Sequence, residues 1–299
     1  MAASTSPQSV PSASRRPSDV EFFFRELAHR PAGLFGLIII LLIVFIIAFG
    51  PLLSPYSYST QDIKNRMQGP SAQHVLGTDH LGRDLAARLI YGTRVALGTA
   101  FPAVSIALAL GLVLGLLAGY LGGWVDNVLL IAFDTIQAFP AMILALALLS
   151  ILGPSSENVI LAIVVAFTPG YARITRAQVL ALKTNLYVEV EKSLGAGLFR
   201  ILFVHILPNT LPPMLILLAM DLPYGITVET GLSFLGLGVQ PPLASWGVIL
   251  SDGFAKIRMS PWAVIWPSVM LMITTLGFTL FGETVRDLTD PKLIGSRRA

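Results

Sequence analysis

Apolar runs near the roughly 20 residues that a helix needs to cross a bilayer recur along this chain, at residues 33–53, 95–121, 128–152, 159–172, 207–232 and 262–281. In lipid a backbone has to satisfy its own hydrogen bonds, which a helix does within a single segment. The fourth run is short. Extending it back through Ser155 and Ser156, or forward into the helix bearing Arg173, would repair its length. The remaining composition agrees: mean hydropathy is +0.74 and 12% of residues are charged, against about 25% in soluble domains. The expected fold is an all-α membrane protein with six transmembrane helices.

What is missing narrows the chemistry. The chain has no cysteine, so disulfides, thiolate metal sites and cysteine nucleophiles are excluded. Its four histidines, His29, His74, His80 and His205, are too scattered to suggest a metal cage. No GxxxxGK[ST] phosphate loop, HExxH or GxSxG motif occurs. No catalytic, cofactor-binding or metal-binding residue is therefore expected, and the chain is not expected to be an enzyme. The formal charge of +3 reads as membrane orientation and not as nucleic-acid binding.

Basic residues are retained on the cytoplasmic side. With the N-terminus inside, Arg15, Arg16, Arg25, Arg30, Arg173, Arg176, Lys183, Lys192, Arg200, Arg286, Lys292, Arg297 and Arg298 fall inside, and Lys64, Arg66, Arg83, Arg88, Arg94, Lys256 and Arg258 outside. Thirteen against seven favours both termini inside. The first outer loop is the exception, unless Asp62, Asp79 and Asp84 offset its charge in a folded segment. The expected organisation is a cytoplasmic tail and amphipathic helix over 1–32, with Phe22, Phe23 and Phe24 toward lipid, and a first span at 33–53. An outer loop over 54–94, a five-helix core over 95–285 and a cytoplasmic tail over 286–299 follow. A signal peptide is the competing reading of Arg15 and Arg16 before an apolar run. The first span is too long for one, and no A-x-A site follows it.

Gly111, Gly115 and Gly119 lie four apart on the second span, a spacing that lets helix backbones approach closely. Charges inside spans carry a functional presumption, because each costs about 2.5–3.5 kcal/mol at the bilayer centre on insertion scales. Asp134, Asp221 and Glu229 are such residues, and they are candidates for a translocation pathway. Asp221 precedes Pro223, which frees a carbonyl and bends a helix. Asp79, Arg83 and Asp84 in one outer segment, and Pro241, Pro242 and Trp246 in another, are candidates for docking an extracytoplasmic partner. An internal salt-bridge clip is the equal alternative for the first segment.

Residues 187–209, YVEVEKSLGAGLFRILFVHILPN, place a polar segment between two apolar runs and read as two short helices meeting near Gly195. The spacing of Glu189, Gly195, Leu207 and Pro208 resembles the EAA loop of permease subunits of ATP-binding-cassette importers. Blocks at residues 76–98, 119–144, 229–250 and, more weakly, 281–293 extend the likeness along the chain. The whole resembles the C-type permease of the dipeptide/oligopeptide/nickel importers, with a type I importer fold.

The resemblance implies a homologous B-type permease, two ATPase subunits that bind ATP and Mg, and an extracytoplasmic binding protein as partners in a bacterial inner membrane. It implies ATPase coupling through Tyr187, Glu189, Glu191, Gly195, His205, Leu207 and Pro208. Val190 and Glu191 stand where the general pattern has two alanines, and His205 where it has isoleucine. Peptides are the expected substrate. Nickel, an oligosaccharide or another small solute remains open within the family, and a stand-alone channel or secondary transporter outside it.

Overall fold

The computed structural model of the chain describes residues 26–289. The amphipathic segment with Phe22, Phe23 and Phe24, and the tail from residue 290, lie outside the described residues. Among the described residues there is no β-strand, only an isolated bridge between Thr78 and Asp84.

Helix α1, Pro31–Leu53, begins on a proline whose missing N–H costs nothing in a first turn. Near its other end Pro51 removes the donor that Ile47 O would have bonded. Arg94 replaces it from the next helix, its Nε donating to that carbonyl at 2.6 Å. Helix α2, Leu85–Leu121, starts ten residues before the expected 95 because Asp84 caps it, accepting from Ala87 N at 2.8 Å. Hydropathy alone misses this start, since Arg88 and Arg94 interrupt the apolar pattern.

The third run is not one straight span. It forms α3, Gly123–Gln137, and α4, Ala141–Leu152, bent by 89° across Pro140. The fourth run lengthens in both directions, as its shortness required. Helix α5, Ser156–Leu182, is capped by Ser155 accepting from Asn158 N at 3.1 Å. After a short α6, Leu186–Ser193, the chain enters α7, Leu198–Phe234. A small α8, Trp246–Phe254, precedes α9, Trp262–Thr289, which continues past the expected end at 281. By length and composition this gives five membrane-crossing helices, or six with the bent pair counted as one.

The most extensive helix contact joins α2 to α5, where the glycine stripe removes the side chains that would keep the two apart. A Cβ on Gly111 would strike Tyr171 and Ala172, one on Gly115 would strike Ala172 and Thr175, and one on Gly119 would strike Arg176 and Val179. The same seam supplies much of the main core, including Leu108, Leu112, Ile163, Phe167 and Tyr171.

Candidate functional site

The turn between α5 and α7 is built in a self-contained way. Helix α6 ends in a Schellman cap: Ala196 N bonds to Glu191 O and Gly195 N to Lys192 O, each at 3.0 Å. That cap places Gly195 at φ +82°, the left-handed region that glycine enters without strain. Nothing lies within 4 Å of where its Cβ would be, so the requirement is conformational and not steric. Val188, fully buried, pins α6 to a second small core of Leu116, Val179, Ile201, Leu202 and Ile206. Lys183 Nζ donates to Gly119 O at 2.9 Å, which satisfies a carbonyl orphaned in the last turn of α2. Lys192 lies over the Tyr120 ring, 5.2 Å from its centroid.

The opposite face of this turn is left open. Leu186 and Leu194 are each 76% exposed, and Tyr187, Glu189 and Val190 stand exposed between them. Glu191 and His205 do not share that face. They meet each other, His205 Nε2 lying 3.4 Å from Glu191 Oε2, and so brace α6 against the start of α7. There residues Ile201–Ile206 wind in π-helical register, with Leu207 N bonded to Leu202 O. Pro208, lacking an N–H, cannot extend an ordinary ladder at that point. Leu207 packs on the small core and Pro208 is exposed.

The three charged residues picked out inside spans separate into different environments. Glu229, 1% exposed, accepts from Ser233 Oγ at 2.8 Å and is buried in the packed interior of this chain. Asp221 is half-buried on α7, with the buried Tyr171 hydroxyl directed toward it without closing a strict hydrogen bond. Asp134 is exposed and pairs with Arg173 of α5. Three residues further along α5, Arg176 pairs with Asp126, Nη2 to Oδ2 at 2.6 Å. Sequence reading left Arg173 and Arg176 as orientation charges; their arrangement depends on how α3 crosses α5.

At the other end of the bundle, residues 77–88 and α8 form a closed clip. Arg83 Nε donates to Asp79 Oδ2 at 2.6 Å, and Arg83 Nη2 to Asp252 Oδ2 at 3.1 Å. Arg88 stands 3.5 Å from both carboxylates. His74 Nδ1 lies 2.9 Å from Asp84 Oδ2. Trp246, fully buried, donates to Leu89 O at 3.3 Å. Asp79, Arg83, Asp84 and Trp246 therefore point inward and shape the surface without presenting side chains on it. Pro241 and Pro242, joined by a cis peptide, are exposed.

Bundle, turn and clip together define a membrane permease. Residues 111–295 match the family described as binding-protein-dependent transport system inner membrane component, and residues 22–70 match the N-terminal TM domain of oligopeptide transport permease C. The chain belongs to this family of importer permeases, multi-pass proteins of the bacterial inner membrane. It is 41% identical over 270 residues to the dipeptide transport system permease protein DppC of Alkalihalophilus pseudofirmus, covering 90% of this chain and 89% of that one. It is 38% identical to the glutathione transport system permease protein GsiD of Pectobacterium atrosepticum, over 91% of each chain. Against the di/tripeptide permease DppC of Pseudomonas aeruginosa the identity is 37%, over 93% of each. An inward-facing structure of the MetNI methionine ABC transporter superposes with a TM-score of 0.53 at 20% identity, covering 68% of this chain and 96% of that one, which establishes the shared fold.

Proposed function

We propose that this chain is one of two unlike permease subunits of an ATP-driven importer of di- and oligopeptides. The other half is a B-type permease. ATP is hydrolysed by two partner ATPases, and peptide arrives on an extracytoplasmic binding protein. The observation that carries this reading is the turn around Gly195, whose inner face is fastened by a core of its own while its outer face leaves Leu186, Tyr187, Val190 and Leu194 uncovered. An apolar face outside the bilayer-crossing segments is suited to a cleft on another chain. Because Val188 of α6 is packed against Ile201, Leu202 and Ile206 at the start of α7, a push on α6 moves the start of α7, and α7 carries Asp221.

Both termini inside is the topology this reading requires. Of the seven basic residues that opposed it, Arg83 and Arg88 are buried in the clip and the exposed Arg94 donates to α1 carbonyls. Single cysteines at Ser71 and Lys256 should react with an impermeant maleimide from outside, and one at Asn185 only from inside. The assay is clean because the chain has no native cysteine. The decisive experiment is reconstitution: proteoliposomes holding both permeases and both ATPases should accumulate a labelled dipeptide only with binding protein and hydrolysable ATP. Uptake that follows an ion gradient with ATP absent would overturn the reading.

A further inference from the structure

Two arginines three residues apart on α5, less than one turn, each face an aspartate on α3, and the two pairs differ in access. Arg176 and Asp126 are 25% and 13% exposed and meet through two nitrogens and two oxygens. Fork-to-fork geometry of this kind fixes one helix on another. Arg173 and Asp134 are 42% and 65% exposed and meet through a single nitrogen and a single oxygen. The first pair suffices to join the helices; the second lies open.

Its position makes that openness informative. Arg173 follows Ser156, the first residue of α5, by seventeen positions, or about 26 Å at 1.5 Å per residue. That leaves it inside or at the boundary of a hydrocarbon layer about 30 Å thick. A carboxylate 65% exposed at that level faces water, headgroups or protein and not hydrocarbon. Six residues before Arg173 on α5, Phe167 stacks on Tyr224 of α7 at 5.3 Å, with Tyr224 51% exposed. An open cation and anion held in contact present complementary charges to a molecule that carries one of each.

We propose that Asp134 and Arg173 form an exchangeable site for zwitterions: the substrate ammonium takes Asp134, its carboxylate takes Arg173, and the protein's own ion pair re-forms behind it. The exchange conserves charge, replacing one ion pair by two, so neither group is left bare at membrane depth. This rests on the importer reading above and names the substrate feature the pathway recognises. Arg173 thereby becomes a specificity-determining residue. Arg176 and Asp126 remain structural.

The test uses the assembled complex with Gln137, exposed one helical turn from Asp134, replaced by the only cysteine in this chain. Any cysteines of the partner subunits are removed beforehand. Alkylation of that cysteine is followed against dialanine and against N-acetyl-dialanine amide, in nucleotide-free and ATP-bound states. Occupancy should slow the reaction by a factor of 1 + [L]/Kd, about tenfold at ten times Kd, for the free dipeptide alone. Protection should vanish in a D134N/R173Q background, where two amides can still hydrogen-bond, and persist in D126N/R176Q. No protection in either state, or equal protection by the blocked peptide, would overturn the site, and both outcomes are read in the Q137C chain even if the double variants fail to assemble. Protection without ATP-driven uptake would retain the site and reject the importer reading; uptake without protection would do the reverse.

Discussion

The clip at residues 77–88 and the turn at 186–207 are both polar connections between apolar helices, yet they are finished in opposite ways. In the clip, Asp79, Arg83 and Arg88 are all buried, and the fourth member, Asp252, arrives from α8, more than 160 residues away. In the turn the charged residues are mostly outside, and leucines stand uncovered beside them. A connection that hides its charges by pairing them is complete in the single chain. A connection that leaves large apolar groups in water is complete only in an assembly. Lost stability and lost partnership should therefore separate cleanly between the two regions.

The largest effect is expected in the clip. Asp79→Ala leaves two buried guanidinium groups with one carboxylate, and removing one member of a buried pair costs about 3–5 kcal/mol. Thermal unfolding of the purified complex and its yield should both fall. A melting temperature unchanged by this substitution would break the contrast. In the turn, Leu194→Asp should leave thermal stability intact and weaken ATPase association by about 30-fold, as for a hot-spot contact of about 2 kcal/mol. Titration of the purified ATPase onto the permease pair in nanodiscs measures it.

A smaller effect should attend Gly195→Ala. The left-handed conformation costs a non-glycine residue about 1 kcal/mol or more, and the open space around Gly195 means that no clash adds to this. Hydrogen exchange in α6 should quicken by roughly fivefold for 1 kcal/mol. Gly195→Asn should cost less, because asparagine tolerates that conformation better. Least of all, Glu191→Gln should shift coupling by no more than the ~0–1 kcal/mol of a solvent-accessible pair. A full loss of substrate-stimulated ATP hydrolysis in that variant would move Glu191 from a brace to a docking contact.

Much of this architecture was legible in the chain. Apolar runs located the helices, the four-residue glycine spacing anticipated the α2–α5 seam, and the polar stretch around Gly195 anticipated two helices and a tight turn. The misreadings have physical causes. Hydropathy averages over a window and is blind to direction, so the run at 128–152 carries no sign of its 89° bend at Pro140. The same averaging put the start of α2 at 95, because two arginines interrupt the apolar run while a cap at Asp84 begins the helix. Glu229, Asp221 and Asp134 looked alike as carboxylates inside apolar runs. They part company because Ser233 lies one turn from the first, Tyr171 faces the second, and Arg173 meets the third.

What the sequence by itself determined is everything that depends on near neighbours along the chain: that it crosses a membrane, where its helices run, where a glycine must turn it, and which family it joins. Only the tertiary structure decided which charges are sealed and which are open. Arg173 and Arg176 are the same residue type on the same helix, and their partners lie 39 and 50 positions away. Their difference in access is set by where α3 lies against α5, with Asp126 and Arg176 half enclosed and Asp134 and Arg173 open. Burial of a charge is a property of the packed surface around it, and no stretch of chain contains that surface.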